Sequence, residues 1–420
     1  MCRGPAANPP WAPRPLHKKP SGRRPGGQPG HVGHGRTLLP AEQVDEVVRH
    51  EPSHCQNCQQ RFSASSPREV VERHQVSELP ARAAKLTEHQ AIACECLGCG
   101  RVTQGRIPEE LRHSVLGERL SATVSFLSAF VHGSRRAVEE VMAEVLGAPI
   151  ALGTVSARER EMSQALALPY RQAQGVVREA QAKNVDETGW KRAGRYLWVA
   201  ATGELAVFHV DPCRNRDAME VLLGQPVQGT ICTDRFGVYE KVPLEQRGIC
   251  WAHLKRDFQA CVERAGPSEA IGQEGLKLCS SVMRLWYKFR QGQIGRELLQ
   301  RRAKRLKRWA HRLLKRGVEL KQKGTSGFCQ GVLDLEAALW RFCEVEGIEP
   351  TNNHAERMLR PAVMWRKQSQ GSHSLGGCRF VERMLTAVQS LHLQGRSVMA
   401  FLSEAVRALR YGLPPPSLVG

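Results

Sequence analysis

Strand-like runs occupy residues 183–262 of this 420-residue chain, between two long segments with helical periodicity. Residues 196–201 and 205–210 are rich in apolar and β-branched residues, and the short turn between them contains Gly203, so this pair predicts a β-hairpin. Residues 230–234 predict another short buried strand, whereas 110–182 and 263–349 read as helical. The order helical, strand, helical predicts a mixed α/β fold.

Three acidic residues stand where such a fold can bring them together. Asp186 lies on the strand that precedes the hairpin, Asp234 ends the later strand, and Glu356 heads a helix-like run. Carboxylates at adjacent strand ends can share divalent ions about 3.5–4 Å apart. The sequence therefore predicts a ribonuclease H-like sheet whose three carboxylates hold Mg²⁺ or Mn²⁺. Glu187 is expected on the opposite face of its strand, which favours Asp186.

Charge indicates the partner of such a site. The chain has 61 Lys and Arg against 41 Asp and Glu, a net charge of +20, which favours a polyanion such as DNA. Residues 1–41 contain no acidic residue and many Pro and Gly, so this arm is predicted to be disordered alone and to lie along phosphates when bound. Its predicted DNA contacts are Lys18, Lys19, Arg23 and Arg24. The cationic run 301–312 on a predicted helix is likewise better explained by a phosphate partner than by a solvated face.

Two C-x-x-C pairs predict a small zinc ribbon. Cys55 and Cys58 form the first, and Cys96 and Cys99 the second, after a separation longer than that of a compact ribbon. The alternating segment 70–76 is predicted to form strands that bring the pairs together. Two alternatives stay open at this point, because Cys94 could replace Cys96 and His54 could compete with Cys55.

Residues 134–156 resemble a helix-turn-helix. A helical segment is followed by a turn containing Gly147 and by a second helix that Thr154 or Ser156 is predicted to cap. Many helix pairs of this kind do not contact DNA, so both interpretations stand.

These features, taken in order, resemble the transposase of the insertion sequence 66 family of bacterial mobile elements. The matching stretches are the arm at 26–31, the paired cysteines, 186–190, 233–234, 250–258 and 352–367. The resemblance implies a DDE-type ribonuclease H-like core with Asp186, Asp234 and Glu356 as the metal-binding triad. The chain also departs from the family pattern, since Arg235 and Phe236 follow the second acid where relatives carry a pair like Gly-Tyr.

The resemblance further implies roles for residues around the triad. Asn352, Asn353 and Arg357 would help to position the DNA and the helix that carries Glu356. Arg366 and Lys367 would contact DNA. Cys250 and His253 match a C-x-x-H feature found after the second acid in several transposase groups. Both packing of an insertion and metal binding would explain that feature.

The predicted organisation is an α/β ribonuclease H-like catalytic core with a helical insertion, preceded by a zinc ribbon and a helix-turn-helix-like region. The predicted boundaries are 1–41 for the arm, 42–108 for the ribbon, 109–182 for the helical region, 183–395 for the catalytic domain with its insertion at about 263–349, and 396–420 for a C-terminal helix and tail.

The predicted activity is metal-dependent cleavage at the ends of the insertion sequence and strand transfer into target DNA. The partners implied are terminal-repeat and target DNA, a second copy of the chain on paired ends, and accessory proteins of the element. No apolar run approaches the roughly 18 residues of a membrane span, so a cytoplasmic, nucleoid-associated protein without a membrane partner is expected. The alternatives are a zinc-ribbon DNA-binding protein, an inactive relic of a transposase, and a nuclease that does not join strands.

Overall fold

The computed structural model divides into two compact units, Met1–Ala83 and Ala84–Gly420. The residues that the structure describes are 38–77, 79, 83–99, 101–112, 114–190, 194–369, 372 and 374–419. The predicted DNA contacts in the arm, Lys18, Lys19, Arg23 and Arg24, lie outside the described residues.

The first unit contains little regular structure in its described part. A short 3₁₀ helix spans Ala41–Gln43, and an isolated antiparallel bridge joins His54 to Arg61. The prediction of strands over 70–76 is wrong, because this segment has no strand pairing among the described residues. Most of its side chains are exposed, with Val71 at 93% exposure, so strand pairing there would bury little apolar surface.

In the second unit a two-stranded hairpin precedes the main sheet. The strands are β1 (Ala93–Glu95), β2 (Val102–Gln104), β3 (Ala182–Trp190), β4 (Arg195–Ala201), β5 (Ala206–Asp211), β6 (Thr230–Thr233) and β7 (Arg247–Ile249).

The helices surround that sheet and form a separate layer after it. They are α1 (Glu118–Ala129), α2 (Arg135–Glu144), α3 (Leu152–Ala165), α4 (Ala167–Glu179), α5 (Arg216–Leu223), α6 (Trp251–Glu263), α7 (Pro267–Arg290), α8 (Arg296–Glu319), α9 (Thr325–Leu333), α10 (Arg341–Glu344), α11 (Asn353–Ser369), α12 (Leu375–Leu393) and α13 (Val398–Tyr411). None of the described helices is both long and apolar enough to cross a membrane.

The main sheet has the order β5-β4-β3-β6-β7. The predicted hairpin is confirmed, because β4 pairs antiparallel with β5, and β3 pairs antiparallel with β4. β6 and β7 run parallel to β3 on its other side. Strands β4, β5 and β6 are almost wholly buried, as apolar runs without alternation require. This mixed sheet is compatible with a ribonuclease H-like core.

The edge strand β5 is covered by side chains of α12. Ser390, Thr386 and Glu382 accept hydrogen bonds from the backbone N–H groups of Ala206, Phe208 and Val210 at 3.0, 3.0 and 2.8 Å. The three acceptors lie four residues apart on one face of the helix, and the three donors alternate along the strand, so the two periods match. The free edge of the sheet is thereby satisfied within the chain.

The helix pair at 134–156 differs from its prediction in one detail. Ser134 caps α2 as a serine at that position should. However, α3 begins at Leu152 after Ala151, so the predicted capping by Thr154 or Ser156 is wrong. The carbonyl of Ala151 already accepts the N–H of Thr154, which places Thr154 inside the helix. A role of this pair in DNA binding stays a prediction.

The helical layer from α6 to α10 has its own apolar core. The indole of Trp251 donates to the carbonyl oxygen of Leu339 at 2.8 Å and packs edge-on against Trp340. The backbone N–H of Trp251 donates to the carbonyl oxygen of Pro350 at 2.8 Å. The chain thus leaves the sheet after β7 and returns beside the same point before α11 begins.

Candidate active site

Asp186 and Asp234 follow paired residues of two neighbouring parallel strands. Asn184 of β3 is paired with Cys232 of β6, and each aspartate lies two residues further along its own chain. The parallel pairing ends at Asn184 and Cys232, so both aspartates lie beyond it, near the end of β6.

Each aspartate is held by a backbone donor. Oδ1 of Asp186 accepts the N–H of Glu187, and Oδ1 of Asp234 accepts the N–H of Phe236, both at 2.9 Å. Burial and, after it, the charges of Glu187, Asp234 and Glu356 raise the pKa of Asp186 to about 7.

Asn352 brings the third acid to the sheet. Its side-chain amide donates to the carbonyl oxygen of Val185 at 2.7 Å, and its Oδ1 accepts from the amide of Asn184 at 2.9 Å. Glu356 lies one helical turn later, and its N–H donates to the carbonyl oxygen of Asn352 at 3.2 Å. The start of α11 is thus bonded to the β3 residue that immediately precedes Asp186.

Two side chains of α6 lie near the carboxylate of Glu356. Nδ1 of His253 is 4.0 Å and a guanidinium nitrogen of Arg256 is 3.8 Å from Oε1 of Glu356. Nδ1 of His253 is buried without a hydrogen-bond partner. Burial and the charge of Arg256 lower the pKa of His253, which favours a neutral imidazole.

Cys250 is fully buried just before α6. Its Sγ accepts the N–H of Asn352 at 3.1 Å, and its own N–H donates to the carbonyl oxygen of Thr233 at 3.0 Å. Burial raises the pKa of this thiol. Cys250 therefore connects the end of β6, the start of α6 and the start of α11, which supports packing for this half of the C-x-x-H feature.

Glu187 has a different set of partners from Asp186. Its carboxylate is buried and accepts from the guanidinium of Arg214 and, at 2.7 Å, from the hydroxyl of Tyr239. Burial raises the pKa of Glu187, and the bonds from Tyr239 and Arg214 oppose that rise. No local pattern indicated this cluster, since Arg214 and Tyr239 are 27 and 52 positions from Glu187.

The carboxylates fit a hard divalent cation in their chemistry. Asp186, Asp234 and Glu356 offer oxygen ligands, which Mg²⁺ and Mn²⁺ prefer. The orphaned Nδ1 of His253 beside Glu356 is a further unused donor or acceptor. Within the part of the chain that the structure describes, no group of three or more His, Cys, Asp or Glu is arranged closely enough to hold a metal ion.

The residues predicted to contact DNA near the third acid differ in their placement. Asn353, Arg357 and Lys367 are exposed on α11. Arg366 is instead half-buried and donates to Oγ1 of Thr188 at 3.0 Å and to the carbonyl oxygen of Gly189. That guanidinium nitrogen therefore ties α11 to the end of β3.

Each cysteine pair lies in a tight turn of its own unit. In the first unit, hydrogen bonds lower the pKa of Cys55, and the largest effect comes from the backbone N–H of Cys58. In the second unit, hydrogen bonds in the turn between β1 and β2 lower the pKa of Cys96, and the largest effect comes from the backbone N–H of Gly98. Turns that direct N–H groups at a thiolate suit metal-binding cysteines, and the zinc site stays a prediction.

The model of the family described as Transposase IS66 family matches residues 113–379. The chain belongs to this family. The match covers more than half of the chain, including all three acids and the helical layer, and it supports a transposase role with DNA as the partner. Comparison with curated proteins and with solved structures finds no match.

The sequence prediction of the family is thereby confirmed. The matched segment begins after both cysteine pairs, so it does not bear on the zinc prediction.

Proposed function

We propose that this IS66-family protein is a DDE transposase that cleaves DNA at the ends of its insertion sequence and transfers the strands into target DNA. The observation that carries the proposal is the bonding of Asn352, one helical turn before Glu356, to Asn184 and Val185 of β3, the strand that carries Asp186. Asn184 is also paired with Cys232, two residues before Asp234.

Each residue of the candidate site has its own proposed role. Asp186, Asp234 and Glu356 would hold the divalent metal, and their backbone and amide bonds keep them oriented. Bound there, the metal supplies Lewis-acid activation of water or a 3′-hydroxyl and stabilises charge on the phosphate oxygens. Arg256 and His253 stand beside Glu356, where they restrict the position of its carboxylate. Arg357 and Lys367 offer exposed charge to the DNA backbone.

The test is cleavage and joining of DNA that carries the element's ends, with Mg²⁺ or Mn²⁺, by wild type and by Asp234→Asn. The asparagine keeps Oδ1 for the N–H of Phe236 and removes the charge, so the fold should persist while cleavage falls at least 100-fold, on the order of the loss of a key electrostatic group. Asp217→Asn is the matched control, an exposed aspartate at the start of α5.

The outcomes separate the candidate functions. Nicked and joined products that disappear in Asp234→Asn alone support the transposase. Nicks without joined products support a nuclease, and equal cleavage by wild type and Asp234→Asn contradicts the assignment of the site.

A further inference from the structure

Helix α8 has a strongly asymmetric surface. Its buried face consists of Leu299, Ala303, Ala310, Leu313, Leu314 and Gly317. The opposite face carries six exposed cations, which we call the α8 cation row: Arg301, Lys304, Arg305, Arg308, Arg312 and Lys315. At 100° per residue these six fall within one side of the helix, directly away from the core.

The charge of the row is not balanced within the protein. No acidic residue occurs between Glu297 and Glu319. Two other cations of the helix are paired, Lys307 with Glu344 at 3.2 Å and Arg316 with Glu274. Across the described part of the chain, none of the six row residues has a carboxylate within ion-pair distance.

Such an arrangement costs folding energy. Like charges four residues apart, such as Arg301 with Arg305 and Arg308 with Arg312, destabilise a helix by about 0.2–0.5 kcal/mol per pair. A solvated face without a partner is better served by mixed charges, which α8 uses only at its two ends. The uncompensated row therefore points to a polyanionic ligand.

The chemistry of the row distinguishes the kinds of polyanion. Protein interfaces need apolar or aromatic anchors at their centre, whereas the row itself is wholly cationic and the large apolar side chains beside it, Leu306 and Trp309, are partly buried. From Arg301 to Lys315 the row is about 21 Å long at 1.5 Å per residue. A DNA strand presents a phosphate about every 3.4 Å along the duplex axis, so several phosphates face a row of this length.

A surface groove runs beside the row. It is lined by three row residues, Arg305, Arg312 and Lys315, and by Leu306, Trp309 and the paired Glu274 and Arg316. The indole of Trp309 is fixed by its bond to Glu274 at 2.6 Å. Cations along one side of a fixed concave surface can follow one strand of a duplex.

We propose that the α8 cation row binds the phosphate backbone of double-stranded DNA without regard to sequence. This rests on the DNA-binding part of the proposed function but not on catalysis by Asp186, Asp234 and Glu356. The row gives the helical layer a role of its own, as the surface that holds duplex DNA while the carboxylate edge of the sheet acts on it.

The experiment measures the salt dependence of binding by the full-length protein to a random-sequence duplex, with EDTA present so that cleavage does not contribute. The test variant replaces Arg305, Arg308 and Arg312 by Gln. Its matched control replaces Arg171, Lys241 and Arg407 by Gln, so that the net charge changes equally. These are exposed cations in separate parts of the chain, and none has an ion pair with another described residue.

The row variant should bind more weakly by roughly tenfold per side chain at 0.1 M salt, and the slope of log K against log salt should fall by about 2.7, or 0.9 for each of three phosphates. The control should change the slope by less than about one unit. The melting temperature of the row variant should stay the same or rise, since repulsion is relieved.

Several results would overturn the proposal. They are equal slopes for wild type and row variant, an equal loss in the control, a loss seen only with single-stranded DNA or an acidic polypeptide, and a wild type without salt-dependent duplex binding. Equal cleavage by wild type and Asp234→Asn would contradict the catalytic proposal without changing the binding result, so failure of the catalytic proposal and failure of this one can be told apart.

Discussion

Asn184 and Asn352 are hydrogen-bonded through their side-chain amides at 2.9 Å, although 168 positions separate them in the chain. The side-chain amide of Asn352 also donates to the carbonyl oxygen of Val185 at 2.7 Å. This buried pair joins the strand that carries the first candidate acid to the helix that carries the third, across the whole helical layer.

Asn352→Ala should weaken the connection between β3 and the start of α11. In this buried site the carbonyl of Val185 would lose the donor at 2.7 Å, and the amide of Asn184 would keep only the carbonyl of Thr351 at 3.5 Å, so we expect a loss of about 1–3 kcal/mol in the free energy of unfolding. Cleavage should fall further than stability alone explains, because Glu356 follows one turn later. Denaturant unfolding and cleavage assays measure the two effects. Asn353→Ala, at the exposed neighbouring position, is the control, and an equal effect there would contradict the role of the amide.

Tyr239→Phe should destabilise the cluster around Glu187. The buried carboxylate would keep Arg214 but lose the hydroxyl that donates at 2.7 Å, at a cost of about 1–3 kcal/mol. Chemical denaturation of both proteins measures this difference. Tyr287→Phe removes a hydroxyl from an exposed ring on α7 and should change stability by less than about 0.5 kcal/mol. If both variants matched wild type, the bond to Glu187 would contribute nothing.

Thr386→Val should weaken the hydrogen bonding between α12 and the edge strand β5. Valine keeps the shape but cannot accept the N–H of Phe208, which would be left unpaired at a cost of about 1–3 kcal/mol. Thr123→Val, whose hydroxyl bonds only within α1 near the surface, serves as the comparison. Thermal unfolding should separate the two, and hydrogen exchange should show faster exchange of the Phe208 amide in the first variant alone.

The stability contributed by Lys183 should depend on pH. Burial lowers the pKa of Lys183 to about 8, below its usual value in the unfolded chain. Between pH 8 and about 10.4 the unfolded chain binds more protons at this site, so the stability of wild type should rise with pH relative to Lys183→Met, by on the order of 1–3 kcal/mol. Unfolding of both proteins at pH 7.5 and pH 10 gives this difference. A difference that stays constant or shrinks with pH would contradict the depressed pKa.

Zinc should accompany the purified protein if the cysteine turns bind it. We expect Cys58→Ser and Cys99→Ser each to release the metal, because structural zinc needs its full set of thiolates. Metal analysis of the isolated protein measures the content directly. Cys213→Ser, which alters a partly exposed thiol elsewhere, should keep the zinc. If the purified wild-type protein contained no zinc, the prediction of a zinc ribbon would be contradicted.

Local pattern predicted much of this molecule correctly. The hairpin β4–β5 followed from two β-prone runs around a glycine turn, and the acids stand on a strand, at a strand end and at a helix start, as their local sequence indicated. The family match confirms what the ordered motifs implied. Pattern failed over 70–76, where alternation occurs without a partner strand, and at Thr154 and Ser156, where the helix begins earlier than a capping residue indicated.

The sequence by itself determined the local conformations and the kinds of side chain at the site, because both depend on neighbours a few residues away. Only the tertiary structure decided that β6 pairs parallel with β3, with Asn184 opposite Cys232 two residues before Asp186 and Asp234, and that Asn352, one turn before Glu356, bonds to Val185 of β3. It also decided that Glu187 bonds to Arg214 and Tyr239. These contacts join residues 27 to 168 positions apart, and such pairings are selected by packing of the whole core rather than by any local preference of the chain.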